Sequence, residues 1–418
     1  METDKDIYFK RNVLGVSVVE FFWGLGFPIV MESTFLQLFL KNLGASSFVI
    51  GIVPALLIFC IGAFPLFASY LSRNQRYKKS LVILFHMASG VAILIFGLAL
   101  LFVNRVENIL LLFFVSYTLF SIGIGLTIPV WLNFLVRIFS ERKTVPALGY
   151  MMLAQNIGKV IASFFILKIV SKYSFSQGAS AYIFIVTGLL FIVGTLFFFV
   201  TKELADPDDP APDTLTFLNH SRKSFYEIIK NRRFLVYLVA DLDFYVVITV
   251  LSFYANYATE FFEVPVAVAA GLFVACIYAG SITVNVFLGA MNLLGLKQKF
   301  VLSKCISFLS LVLLIFCPGY WSFFLISYML GFVRAIRNMV YAPSVKKFSG
   351  KTDATSYFAL APILTIPIAS GFPLAFGKML DYLSFMQDDA YRVLFGFSAL
   401  FILVTLYFSV KTDYEIAQ

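Results

Sequence analysis

Two arginines, Arg334 and Arg337, stand three residues apart in "LGFVRAIRNMVYAPSVKKF" (330–348), which continues the apolar run "YWSFFLISYM" without a turn signal. The stretch reads as one long helix, and three- and four-residue spacing puts Arg334, Arg337, Asn338 and Tyr341 on one face. A guanidinium in apolar surroundings can hold a carboxylate or phosphate bidentately. Other ionisable residues recur in equally apolar runs: Glu20, Glu32, His86, Lys159, Asp241 and Asp243. Gln155, Asn156, Lys159 and Ser163 share a helix face, and Tyr278, Ser281 and Asn285 form a milder polar stripe. Asp241 and Asp243, two residues apart, cannot share a face, and Glu32 lies about 120° around the helix from Glu20. Carboxylates so placed can take up and release a proton.

The same inventory excludes other chemistry. The chain has two histidines, His86 and His220, and four cysteines without a Cys-x-x-Cys pair. No metal cluster, histidine-based catalytic group or cofactor motif can be assembled from them. Cys60, Cys276, Cys305 and Cys317 read as buried small hydrophobes, His86 as a packing residue and His220 as solvated.

The elements that must position these residues are membrane spans. Apolar residues make up 60% of the 418, charged residues 13%, and the mean hydropathy is +0.90. Such a composition belongs to a polytopic bundle covered by lipid. A helix needs about 20 apolar residues to cross the hydrocarbon. Twelve stretches qualify: 12–40, 46–71, 79–103, 108–138, 145–171, 180–200, 233–262, 266–294, 299–317, 320–346, 353–381 and 390–410. The fold class is therefore all-α. The charged N-terminus "METDKDIYFKRN" has no cleavage site after it, so the first span reads as retained.

Basic residues set the orientation. "SRNQRYKK", "SERK", "LKQK" and "VKKFSGK" lie on one side, against mainly Lys41, Arg105, Lys172 and Arg392 on the other. Lysine and arginine are retained in the cytoplasm, which places both termini there and suggests a plasma (inner) membrane. The net charge of +9 calls for no nucleic-acid partner; membrane lipids and a small-molecule substrate are the expected partners of a monomer.

The hydrophilic interval 201–232 divides 1–200 from 233–418, six spans from six. It opens with "TKELADPDDPAPDT", a flexible linker. It continues with Phe217, Leu218, Phe225, Ile228 and Ile229 beside basic residues, the pattern of an amphipathic helix on the inner leaflet. The two halves repeat one another. A shift of 221 residues lays Arg11 on Arg232, Glu20 on Asp241, and "ASYLSRNQRYK" on "GAMNLLGLKQK", with Arg76 over Lys297. "LGYMMLAQNIGKVIASFF" has a counterpart in "TSYFALAPILTIPIASGF". Such recurrence points to two parallel, pseudo-symmetric six-helix bundles.

Over its whole length the chain resembles the major facilitator superfamily. Family members carry Gly-x-Leu-x-Asp-Arg-x-Gly-Arg-Lys/Arg after the second span. Here Arg73 and Arg76 match, with Ala68, Ser72 and Gln75 in place of Gly, Asp and Gly; after the eighth span Gly289 and Lys297 match, with Leu293 at the Asp position. The resemblance implies that spans one, four, seven and ten line a central cavity and that the halves rock about it.

On this reading Arg334, Arg337, Lys159, Asn338, Tyr341, Trp131, Asn133 and Asn285 are candidates for binding substrate. Glu20, Asp241, Glu32 and Asp243 are candidates for proton coupling. Arg337, Glu20 and Asp241 each lie nine residues from a basic residue at the cytoplasmic end, hence at similar depth. The alternative makes Arg337 with Asp241 or Glu20 a structural pair, and Trp131 a packing residue. The activity expected is secondary transport of a small organic anion or zwitterion, with no nucleotide-binding loop to make ATP the energy source. Export of cationic amphiphiles, a lipid carrier and a non-transporting receptor are the alternatives. An enzyme would need clustered nucleophile, base or metal ligands, and none is found.

Overall fold

The computed structural model describes residues 4–31, 34–72, 75–204, 222, 225–226, 228–291, 293–349 and 355–411. The proposed amphipathic segment after Phe217 falls largely outside them, as do Glu32 and Arg73. Among the described residues twelve helical spans are long and apolar enough to cross a membrane. They are Phe9–Asn42, Ser47–Ser72, Lys79–Ala99, Val106–Leu135, Ala147–Tyr173, Gln177–Val200, Arg232–Phe261, Val266–Gly289, Leu296–Phe316, Tyr320–Ser349, Leu360–Tyr382 and Asp388–Lys411. No strand occurs among the described residues.

The chain packs as two compact units, Met1–Glu32 with Cys60–Phe217, and Ser33–Phe59 with Leu218–Gln418. In the first unit the first span runs as a helix from Phe9 to Val30 and crosses the fifth span at almost zero clearance. A Cβ on Gly24 would lie 2.3 Å from the Gln155 carbonyl oxygen, and one on Gly158 would lie 2.5 Å from that of Phe21. With little hydrophobic drive between helices in lipid, small residues that let backbones touch supply the van der Waals contact. Above the crossing, Trp23 stacks on Phe191 with ring centroids 4.2 Å apart. Its indole N–H donates to Thr195 Oγ1 at 3.3 Å. His86 packs edge-on against Trp23 at 4.8 Å and Phe198 at 5.0 Å, with Nδ1 2.7 Å from the Val82 carbonyl oxygen. It is a packed, hydrogen-bonded residue, as its lone position on an apolar helix suggested.

The second unit uses the same device between the eighth and tenth spans. A Cβ on Gly331 would meet the Ile277 carbonyl oxygen at 1.9 Å, and one on Gly280 that of Tyr328 at 2.1 Å. Ser281 Oγ donates to the Gly331 carbonyl oxygen at 3.1 Å, so this member of the expected polar stripe binds a neighbouring helix. Ser33–Phe59 precedes the sixth span in the chain yet belongs to this unit, with helix Phe35–Asn42 packed on the seventh and eighth spans.

Three local features depart from the sequence reading. The seventh span is not one helix: Arg232–Ala240 and Asp243–Phe261 are separate helices joined by a tight turn at Asp241 and Leu242. Aspartates disfavour helix interiors because their side chains compete for backbone groups. Here the second helix begins on Asp243, where the helix dipole favours an anion. The eighth span ends in a π-helical turn, Asn285–Ala290. Of the cysteines, only Cys60 is buried; Cys305 and Cys317 are exposed on helix surfaces and Cys276 is half-buried. Lipid solvates an apolar side chain as well as a protein core does, so apolar context in sequence does not imply burial.

Candidate substrate and coupling site

The break in the seventh span turns its two carboxylates to different neighbours. Asp241 faces the tenth span, where Arg337 donates to its Oδ2 from Nε at 3.2 Å and from Nη2 at 2.9 Å. Asp241 Oδ1 is buried without a hydrogen-bond partner among the described residues. The guanidinium lies between two rings, 4.2 Å from the Phe244 centroid and 3.9 Å from that of Tyr341. Such cation–π contacts hold a guanidinium in plane as well as stabilising it. The Arg337 side chain keeps 17% of its surface exposed and that of Asp241 only 4%. The pair is thus buried on the acidic side and partly exposed on the basic side. Arg334, one turn away on the same helix, is half-buried.

Asp243 faces the ninth span, where Lys304 Nζ lies 2.5 Å from its Oδ1, with side-chain exposures of 1% and 5% for lysine and aspartate. Lys304 also sits 3.9 Å from the Phe300 ring centroid. This pair is sealed in a helix seam. Sequence reasoning missed Lys304, although a signal was there: Ser303, Lys304, Ser307 and Ser310 form a polar stripe at helical spacing in an otherwise apolar span.

In the first unit, the Gly24–Gly158 crossing brings Gln155 Nε2 to donate to Glu20 Oε2 at 2.5 Å. Glu20 is 6% exposed. Lys159 is one turn along from Gln155 on the same face, and its charge reaches Glu20. Its ammonium lies 5.3 Å from the Phe27 centroid. The acids that the internal repeat overlays, Glu20 and Asp241, are therefore held in their own units by different partners, an amide in one and a guanidinium in the other.

Trp131 is half-buried, and its indole N–H has no hydrogen-bond partner among the described residues. Asn133, Asn285 and Asn338 are exposed. Gly289 lies where an added Cβ would be 3.0 Å from Met339 Cε; Lys297 is exposed. Arg76 is exposed, and its carbonyl oxygen accepts from Arg137 Nη1 at 2.7 Å. At this end a residue that the sequence did not single out does more: Glu203 accepts the Lys78 and Lys79 backbone N–H groups at 2.9 Å each, capping the third span. Among the described residues no group of three or more His, Cys, Asp or Glu could hold a metal ion.

Residues 18–361 match the family profile described as Major Facilitator Superfamily. The chain belongs to that superfamily. As a superfamily member it is an integral membrane protein and a transporter rather than an enzyme, and its activity is secondary transport in general. No curated protein matches it significantly in sequence. Solved superfamily-like structures share its fold. A point mutant of the nucleoside transporter NupG aligns with TM-score 0.72 and 14% identity over 96% of this chain and 99% of that one. A point mutant of the peptide transporter POT, in complex with alafosfalin, aligns at 0.71 and 14% over 98% and 99%. A bacterial homolog of the human lysosomal transporter Spinster, inward-facing and unoccupied, aligns at 0.64 and 13% over 99% and 99%.

Proposed function

We propose that this superfamily member moves a small organic anion or zwitterion across the plasma (inner) membrane by alternating access, as a proton symporter with both termini in the cytoplasm. The observation that carries the reading is the Arg337 guanidinium, fixed by Asp241 Oδ2 and the rings of Phe244 and Tyr341 and still partly exposed. Its Nη1 is not engaged by any hydrogen bond among the described residues. A fixed guanidinium with donors to spare suits a carboxylate or phosphate. In the second unit Arg334 adds positive charge beside the protonatable Asp241; in the first, Lys159 and Glu20 offer the same two kinds of group. One structural neighbour is described as a proton-dependent oligopeptide transporter, a coupling in keeping with this assignment. A cationic amphiphile would meet acids already occupied by Gln155 and Arg337.

The test is uptake and counterflow by purified protein in proteoliposomes across a panel of carboxylates, phosphate esters, zwitterions and cationic amphiphiles. Movement of an anion or zwitterion, stimulated by an inward proton gradient, is expected. Counterflow of cationic amphiphiles alone would reverse the substrate assignment, and binding without counterflow would make the protein a receptor.

Alternating access also needs a seam that opens. Within the second unit, Asp381 at the end of the eleventh span accepts the backbone N–H groups of Ser47 and Phe48 at 2.7 and 2.9 Å. Lys41 pairs with Glu260. Gly51 and Gly377 sit where added Cβ atoms would lie 2.3 and 2.4 Å from the Pro373 and Ser47 carbonyl oxygens. A carboxylate on a helix N-terminus is worth about 1 kcal/mol. Asp381→Asn is therefore expected to shift the seam toward its open form about fivefold. In a cysteine-free background, the rate at which a maleimide labels Ile50→Cys, a buried position, should rise by that factor. An unchanged rate would remove this seam from the cycle.

A further inference from the structure

A cavity of about 740 Å³ lies on the first unit, and no charged residue lines it. Its walls are the fifth span (Ala162, Phe165, Ile169) and the sixth (Ala179, Val186, Leu190), and the first span supplies its floor through Leu25 and Ile29. Thr187 is its buried polar lining residue, and its hydroxyl already donates to the Ile183 carbonyl oxygen at 2.7 Å. The buried part of the lining therefore offers a polar ligand no free hydrogen-bond donor. Polarity returns only at one end, where Tyr173, Ser176 and Tyr182 line the mouth and both tyrosines are exposed.

That end carries positive charge. Lys168 and Lys172 are exposed, and each precedes a groove-lining residue, Ile169 or Tyr173, by one position. Four residues apart, they share one edge of the helix beside the groove. The Lys172 ammonium lies 5.0 Å from the Tyr173 ring centroid, leaning along the mouth. The fifth span starts on the side where the first span starts, so the mouth lies at the opposite membrane face. An apolar slot open between spans, an aromatic rim and a basic edge at interface depth match one amphiphile end for end.

We propose that this groove is a binding site for an anionic phospholipid of that leaflet, with an acyl chain between the fifth and sixth spans and the headgroup phosphate at Lys168 and Lys172. The occupant is drawn from the bilayer and is distinct from the transported solute.

The test compares purified protein after reconstitution in nanodiscs of equal parts phosphatidylglycerol and phosphatidylcholine and re-extraction into detergent. Retained phospholipid is identified by native mass spectrometry. Wild type is expected to retain phosphatidylglycerol in preference to phosphatidylcholine. Lys168→Gln with Lys172→Gln should cut that preference about two- to thirtyfold, the range expected for losing two exposed ion pairs to a phosphate. Gly178→Trp puts a bulky ring at the mouth from a position where an added Cβ meets nothing within 4 Å. It should lower retention of both lipids while the melting temperature holds. Equal retention of the two lipids by wild type means annular exchange only and overturns the site. So does wild-type retention by both variants.

Discussion

Arg337→Gln is expected to lower substrate uptake by about 100-fold, the loss of one or more hydrogen bonds to a charged group at about 1.5–3 kcal/mol each. It should also destabilise the protein, because Asp241 is left buried with Oδ2 unpaired and Oδ1 already bare. Removing one member of a buried pair costs about 3–5 kcal/mol. Combining Arg337→Gln with Asp241→Asn should restore much of the melting temperature and none of the uptake. The neighbouring pair serves as the contrast. Lys304→Met strands Asp243 and should cost as much stability. Lys304→Met with Asp243→Leu should recover both stability and uptake, because that pair is sealed at 1% and 5% exposure and has no open side to offer a solute. Thermal melting and initial uptake rates on the same preparations separate the cases. If the Arg337→Gln/Asp241→Asn protein transports normally, the Arg337–Asp241 pair is a brace like its neighbour.

Glu20→Gln is expected to abolish accumulation driven by a proton gradient while leaving counterflow intact. Glutamine keeps the size and the hydrogen-bonding capacity toward Gln155 but cannot carry a proton. A gradient of one pH unit is worth about 1.36 kcal/mol, or about tenfold accumulation; that factor should vanish in the variant. Lys159 reaches the same carboxylate, so Lys159→Met should weaken the response to the gradient without eliminating it. Uptake measured with and without an imposed gradient, alongside counterflow at equal pH, reads both effects. Full gradient stimulation in Glu20→Gln would move the proton site elsewhere.

Much of the architecture could be read from the chain. The twelve spans were legible because lipid demands about 20 consecutive apolar residues per crossing, a signal that neighbours cannot override. The family followed from the loop residues around Arg76 and Lys297 and from the repeat. Buried ionisable residues stood out because each is expensive in hydrocarbon. Their spacing alone separated Asp241 from Asp243, and the depth count put Arg337 level with Asp241.

Other features needed the packed chain. The break at Asp241 and Leu242 leaves the apolar run uninterrupted, so hydropathy passes over it. Lys304 was hidden in a serine-rich stripe whose burial depends on which helix lies opposite. Asp381 and Glu203 cap helices 334 and 125 residues away in the chain, and no local pattern announces a partner so distant. The close crossings at Gly24 and Gly331 depend on two backbones meeting. By itself, then, the sequence determined which segments enter the membrane, which family they form and which side chains are too costly there to be idle. Only the tertiary structure decided which acid meets which base, because pairing depends on side-chain direction and on contacts between helices remote in the chain, and hydrophobic length encodes neither.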